Sequence, residues 1–186
     1  QMCIRDRKQP AISIITICYN SAKTLEETIN SVLSQDYPAL DYVIIDGGST
    51  DGTLDIIEKY RSQLGYFQSE KDEGISDAFN KGIAAAKGEL IGIINSDDLL
   101  LPGALKEVAK AYDGQTDVYR GNVIITNRDT GFSGRETPSM KFPLAPFTIR
   151  CAHQGTFITP DAYRQYGVYD KKFRYMMDYD LLTRFY

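Results

Sequence analysis

Short apolar runs alternate along the chain with stretches whose apolar residues recur every three or four positions. Ala11 to Ile17 (AISIITI) is β-branched and of the length of a buried strand. Leu25, Ile29, Val32 and Leu33 then recur at helical spacing, which predicts an amphipathic helix over 23–35 with Ser21 as its cap. Tyr42 to Ile45 predicts a second buried strand, ending at Asp46. The turn cluster Gly47-Gly48-Ser49-Thr50-Asp51-Gly52 follows, and Leu54, Ile56, Ile57 and Tyr60 mark a second helix. Tyr66-Phe67-Gln68 predicts a brief third strand, and Ile75 to Ala86 a third helix closed by Gly88. Leu90 to Ile94 predicts a fourth strand, running into Asn95-Ser96-Asp97-Asp98, and Pro102 opens another helix.

This β-α-β-α-β-α-β-α order with short connections indicates an α/β fold with a parallel sheet and right-handed crossovers. Ligands of such sheets bind outside the carboxyl ends of the strands. The polar clusters fall there: Tyr19-Asn20 after the first strand, Asp46 to Asp51 after the second, Asp97-Asp98 after the fourth. Beyond Asp113 the rhythm changes. Val118 to Thr126 predicts one strand, 129–150 is rich in turn formers with Pro138, Pro143 and Pro146, and Gly155 to Thr159 predicts another strand. Pro160 starts a short helix and Asp178 to Phe185 a last one. Residues 114–186 thus extend the domain begun at residue 10 and are not a second fold.

Composition narrows the function. With 42% hydrophobic residues the chain is globular, and its 186 residues suit one domain. A net charge of −4 with scattered basic residues argues against nucleic acid as a partner. It leaves room for an anionic ligand, because one metal ion reverses a local field. Cys3, Cys18 and Cys151 form no C-x-x-C pair, so neither a disulfide framework nor a thiolate zinc site is expected, and a reducing compartment fits. No apolar run approaches the ~20 residues of a membrane span. Residues 1–9 are polar and charged and read as a leader outside the fold. The last helix stops in mid-pattern without a Gly or Pro, which predicts a chain truncated at its C-terminus.

Several side chains are candidates for chemistry. Adjacent carboxylates at Asp97 and Asp98 repel each other unless a cation or ordered donors offset the charge. Their oxygens suit Mg²⁺ or Mn²⁺ shared with a substrate's phosphates; the alternative is a helix cap before Pro102. Asp46 can accept from a base N–H or ribose hydroxyls, or it forms the turn before Gly47. Asp51 suits helix capping. Asp77, Asn80 and Lys81 cluster on the third helix, where Lys81 is either a point charge for a phosphate or a surface lysine. Asp72 and Glu73 read as loop carboxylates, with Asp72 near enough in sequence to approach a nucleotide. His153 is the sole histidine, which rules out a His-rich metal site. Asp178 and Asp180 suit a helix N-terminus, and either can serve as a general base toward an acceptor hydroxyl.

In order, Ile12 to Asn20, Ile45 to Thr53, Asp72 to Gly82, Gly88 to Asp98, His153-Gln154 and Met177 to Leu181 resemble the family 2 glycosyltransferases, which have the GT-A fold. The resemblance runs from about Pro10 to the last residue. It implies a Rossmann-like, mainly parallel sheet flanked by helices, with a nucleotide-sugar-binding half over 10–113 and an acceptor-side half over 114–186. It also implies a donor such as a UDP-sugar, a divalent metal (Mg²⁺ or Mn²⁺) and inversion at the anomeric carbon. Asn95-Ser96-Asp97 stands at the family's D-x-D motif, so Asp97 would be the main metal ligand, with Asp98 beside it. Asp46 matches the first acid of the nucleotide pocket, together with Tyr19 and Asn20. Asp77, Lys81, Asn95, Ser96 and His153 complete the expected donor site. Asp178 matches the presumed base.

Three departures stand out: Gly47 replaces the usual second Asp, Asn95 the first D of D-x-D, and Met177 the Glu before the base. The implied acceptor is a glycan or lipid-linked hydroxyl, in polysaccharide, O-antigen or other cell-surface glycan synthesis. The implied location is the cytoplasm, with room for peripheral association at the inner face of the membrane. The competing readings are a nucleotidyltransferase, which would want a Gly-rich basic loop where Tyr19-Asn20-Ser21-Ala22 stands, and a non-catalytic nucleotide-sugar-binding fragment.

Overall fold

Strand β1 (Ile12–Cys18) is buried on both faces, and its side chains divide accordingly. Ile12, Ile14 and Cys18 join one core cluster, while Ile15 joins the other. The same alternation runs through β2 (Leu40–Asp46), where Tyr42 and Ile44 face one way and Val43 and Ile45 the other. Side chains alternate faces along a strand, so a strand covered on both sides is apolar at nearly every position. Each fully buried Ile or Leu contributes about 1.5–3 kcal/mol, which outweighs the ~1 kcal/mol span of strand propensity.

The computed structural model describes residues 9–127, 129–138 and 152–185. The central sheet has six strands in the order β3-β2-β1-β4-β8-β5. β3 (Tyr66–Ser69), β2, β1 and β4 (Leu90–Asn95) are parallel, with Cys18 level with Asp46 and Ile17 level with Asn95. The crossovers are α1 (Leu25–Leu33), α2 (Thr53–Tyr60) and α3 (Ile75–Ala85). Leu25, Ile29 and Val32 of α1 and Ile57 of α2 close one core, and Ala78 and Phe79 of α3 close the other. α4 (Ala104–Ala111) follows β4 and adds Leu105 to the first core. α5 (Pro160–Tyr166) and α6 (Met177–Arg184) complete the second with Tyr163, Leu181 and Leu182.

The second half departs from the sequence reading in two respects. The single strand expected over Val118–Thr126 is two, β5 (Val118–Arg120) and β6 (Val123–Asn127). The break is tied down where Gly121 N–H donates to the Gly155 carbonyl at 2.7 Å. β5 stays in the central sheet through β8 (Thr156–Ile158), which is antiparallel to both β4 and β5. β6 leaves it and forms a hairpin with β7 (Phe132–Glu136), a strand inside a stretch that reads as turns. Pro143, Pro146, Arg150, Cys151, Cys3 and residues 1–8 of the expected leader lie outside the described residues.

Two smaller expectations also change. α1 starts at Leu25, and the Ser21 hydroxyl donates to the Tyr19 carbonyl at 3.3 Å instead of capping it. α3 ends at Ala85, and Gly88 N–H donates to the buried Ser13 hydroxyl at 2.8 Å without acting as the cap. No helix among the described residues is long and apolar enough to cross a membrane.

Candidate functional site

Four parallel strands bring their carboxyl ends to one rim. Because β8 runs antiparallel to β4, with Phe157 opposite Gly92 and Ile158 opposite Ile91, its preceding turn reaches the same rim. The β1–α1 and β2–α2 loops are stitched together there. Asn20 N–H donates to the Ser49 hydroxyl (2.7 Å), Ser21 N–H to Thr53 Oγ1 (2.8 Å) and Ala22 N–H to Asp51 Oδ2 (3.1 Å). In return Thr50 N–H donates to Asn20 Oδ1 (2.9 Å). Asn20 adopts a left-handed φ of 50° to make both contacts, a conformation asparagine tolerates better than most residues. Asp51 receives Thr53 N–H (3.1 Å), one residue ahead of the helix's capping position at Gly52.

Asp46 is completely buried at the end of β2. Its Oδ2 accepts from Gly48 N–H, Ser49 N–H and the Ser69 hydroxyl at 3.0, 2.9 and 2.6 Å, and Oδ1 accepts from the Ser49 hydroxyl. Burial by itself would raise this carboxyl's pKa; the hydroxyls of Ser49 and Ser69 and the two N–H donors outweigh it and hold the carboxyl below the ordinary carboxylate value. Asp46 therefore shapes the pocket loop from beneath. The Cys18 thiol beside it is pushed well up, by burial first and the Asp46 charge second, and is inert as a nucleophile. Above the loop, Tyr19 is 64% exposed. A β-carbon on Gly47 would lie 2.5 Å from Asp72 Oδ2 and 3.5 Å from the Tyr19 ring. Tyr19, Gly47 and Asp72 thus share one surface.

Asp77 and Lys81 form a network of their own on α3. Lys81 Nζ pairs with Glu70 (2.8 Å) and Asp77 (3.1 Å), and Lys171 pairs with Glu73 (2.8 Å) and Asp77 (3.2 Å). The bond to Glu70 leads the effects that raise the Lys81 pKa. Lys81 is thereby committed to two carboxylates. Asn80 clamps the later chain onto α3, donating to the Tyr169 carbonyl (2.8 Å) and accepting Tyr169 N–H (3.0 Å).

The loop after β4 carries the acidic pair. Asp97 is exposed and makes no hydrogen bond or ion pair with any described residue. Asp98 is held: its Oδ2 accepts Asn95 N–H (3.2 Å) and Gln154 Nε2–H (3.0 Å), and its carbonyl accepts the Thr28 hydroxyl (2.9 Å). Ser96 bonds to Ser21 at 2.7 Å, which joins this loop to the first one. Asn95 Oδ1 is buried without a hydrogen-bond partner among the described residues. No three His, Cys, Asp or Glu side chains converge into a metal cluster among the described residues. The donor set of one exposed carboxylate, one half-used carboxylate and one unpartnered amide oxygen nevertheless fits a hard cation that takes its remaining ligands from phosphates and water.

The turn at His153–Gly155 closes the rim. His153 Nδ1 lies 3.0 Å from Asp178 Oδ2; facing a carboxylate, that nitrogen carries the proton. The Phe79 ring packs against the imidazole at 5.5 Å between centroids. Asp178 Oδ1 and His153 Nε2 are both buried without hydrogen-bond partners among the described residues. α6, which bears Asp178, starts from Met176 at a left-handed φ of 62°. The structure thus links Asp98 to Asp178 through two adjacent residues. Asp72 and Gln154, which the sequence offers only as a loop carboxylate and as part of a resembling segment, acquire their place at the rim from their neighbours in space. Arg120 ends β5 and Arg135 lies exposed on the hairpin.

Comparison with known proteins fits this arrangement. An uncharacterised glycosyltransferase of Rickettsia typhi is 30% identical over 95% of this chain, which spans 58% of that protein's length. A PGL/p-HBAD biosynthesis glycosyltransferase of Mycobacterium bovis is 28% identical over 94% of this chain and 69% of its own. The crystal structure of S. aureus TarS 1–349 superposes with a TM-score of 0.70 at 23% identity, covering 94% of this chain and 55% of that one. The same protein in complex with UDP-GlcNAc aligns at 34% identity over 57% of this chain and 32% of that one, with a TM-score of 0.53. The mannosyltransferase PcManGT from Pyrobaculum calidifontis, in complex with GDP-Man and Mn²⁺, gives a TM-score of 0.66 at 18% identity over 89% of this chain and 49% of that one. These superpositions identify the sheet as the GT-A fold. The Glycosyl transferase family 2 model matches residues 13–175, and with that span the chain belongs to glycosyl transferase family 2.

Proposed function

We propose that this chain transfers a sugar from a nucleoside-diphosphate sugar, of the UDP type, to an acceptor hydroxyl with inversion. The observation that carries the reading is the single linked rim. Asp178 offers an unpartnered carboxylate oxygen, and one turn ties it to the Asp97-Asp98 loop. A structural relative binds UDP-GlcNAc, and another binds GDP-Man with Mn²⁺, which supports a diphosphate donor and a divalent cation here. The PGL/p-HBAD relative supports a cell-surface glycan as the product, made from a glycan or lipid-linked acceptor.

In this reading the base lies on Tyr19 and the Gly47 backbone, with the Asp72 carboxylate as its polar contact. Asp97, with Asp98 and the Asn95 amide oxygen, holds Mg²⁺ or Mn²⁺. When bound, the cation supplies electrostatic stabilisation of the departing diphosphate. Asp178 takes the proton from the acceptor hydroxyl as that oxygen attacks the anomeric carbon in a single displacement. His153 holds Asp178 by the oxygen not used for proton transfer. The test is release of nucleoside diphosphate from a panel of sugar nucleotides with Mn²⁺ and glycan acceptors. Binding without release in every combination would leave a nucleotide-sugar-binding module in its place.

A further inference from the structure

Two carboxylates with different roles in the proposed reaction are held by consecutive residues. Gln154 donates to Asp98 Oδ2 and His153 Nδ1 to Asp178 Oδ2, each at 3.0 Å. A 3-10 turn has three residues per turn, so neighbouring side chains leave it in directions about 120° apart. Gln154 and His153 can therefore reach two different loops from one short backbone segment.

That segment is rigid for reasons visible around it. Gly155 N–H and the Thr156 hydroxyl both donate to the Ala152 carbonyl, at 3.2 and 3.0 Å. The Gly155 carbonyl accepts Gly121 N–H at 2.7 Å, and a β-carbon on Gly155 would meet Val123 at 2.8 Å and the Gly121 carbonyl oxygen at 2.9 Å. The turn leads directly into β8, which is paired on both sides in the central sheet. Phe79 of α3 packs on the imidazole.

The polar atoms left over point the same way. Asp178 Oδ1, His153 Nε2 and Asn95 Oδ1 are buried without hydrogen-bond partners among the described residues, and Asn95 N–H donates to the same Asp98 oxygen that Gln154 holds. Buried polar atoms are nearly always satisfied, so unpartnered ones on residues that this turn joins are free to meet a ligand or water.

We propose that the His153–Gly155 turn is a positioning clamp, in which Gln154 fixes Asp98 and the cation-binding loop while His153 fixes Asp178. The spacing between cation loop and base is then set by one backbone unit. Gln154 and His153 are positioning residues. The inference rests on the transferase reading and adds an element to it.

The test uses Gln154→Met, which keeps the chain length and removes the donor, and reads three quantities in the full chain. Hydrogen exchange at the Asn95 amide reports on the Asp98 loop without any ligand. UDP affinity with and without Mn²⁺ reports on the cation site. The melting temperature reports on the fold. The clamp predicts faster Asn95 exchange, Mn²⁺-dependent UDP affinity lower by roughly tenfold or more, as for outer partners of metal ligands, and metal-free melting near wild type. Unchanged exchange together with unchanged Mn²⁺-dependent affinity overturns the clamp and leaves the transferase intact. Should Gln154→Met melt far below wild type, Gln154→Glu in its place sets a second acid against Asp98 at the same chain length, and the same two readouts decide. A wild-type protein that binds neither UDP nor GDP, with or without Mn²⁺, removes the transferase reading, and the clamp falls with it.

Discussion

A β-carbon added to Gly47 would stand 2.5 Å from Oδ2 of Asp72, so these two residues occupy one space at the mouth of the site. The glycine, standing where the family usually has a second Asp, leaves room for a carboxylate that arrives instead from the loop after β3. Gly47→Ala should push the Asp72 carboxylate aside. Because the clash falls on the end of a flexible side chain, stability should change by no more than about 1 kcal/mol. The donor KM should rise by roughly three- to tenfold with kcat nearly unchanged, as for lost ground-state binding. Steady-state kinetics with a matched melting curve decides the point; an unaltered KM would detach Asp72 from the donor.

Asp178→Asn keeps the side-chain volume and loses the base. The expected result is a fall in kcat of about 10²–10⁴-fold, with donor affinity close to wild type. Isothermal titration with UDP beside initial-rate kinetics separates the two effects. Loss of UDP binding in this variant would place Asp178 in the donor site.

Asp97 is exposed and makes no hydrogen bond or ion pair with any described residue. Asp97→Ala should therefore leave stability within about 0.5 kcal/mol of wild type and abolish the gain in UDP affinity that Mn²⁺ confers. Thermal shift with UDP, with and without Mn²⁺, measures this. A gain equal to wild type in the variant would sink the cation assignment.

Asp46 carries a pH prediction. Its carboxyl is held below the ordinary value: burial opposes ionisation, and four donors overcome it. A depressed folded pKa adds stability that is present above the unfolded value of ~3.9 and is lost as pH falls toward the folded one. Asp46→Asn should lower the melting temperature at pH 7, by about 1–3 kcal/mol of stability for the disrupted buried bonds. It should also flatten the acid limb of a melting-versus-pH curve. Parallel acid limbs for the two proteins would show that the loop donors do not distinguish carboxylate from amide.

The four parallel strands were legible because their signal is local. Burial on both faces leaves β1, β2 and β4 with little but apolar residues, and the carboxyl ends of parallel strands necessarily meet at one rim. The hairpin was not, since three of its four apolar side chains lie exposed: Ile124, Ile125 and Phe132 are each about half exposed or more. Such a pattern lacks the alternation that marks a half-buried strand. The break at Gly121, likewise, depends on a carbonyl 34 positions later, at Gly155.

The succession of strands and helices, the polar rim and the acids at its edge follow from the order of residues along the chain, because apolar periodicity and turn chemistry act over a few positions. Partnership does not. That Asp46 turns inward onto Ser49 and Ser69, that Lys81 is taken by Glu70 and Asp77, and that His153 and Gln154 divide Asp178 and Asp98 between them were decided by folding alone. A carboxylate's role depends on which donors come within about 3 Å of it, and most of those donors come from far along the chain.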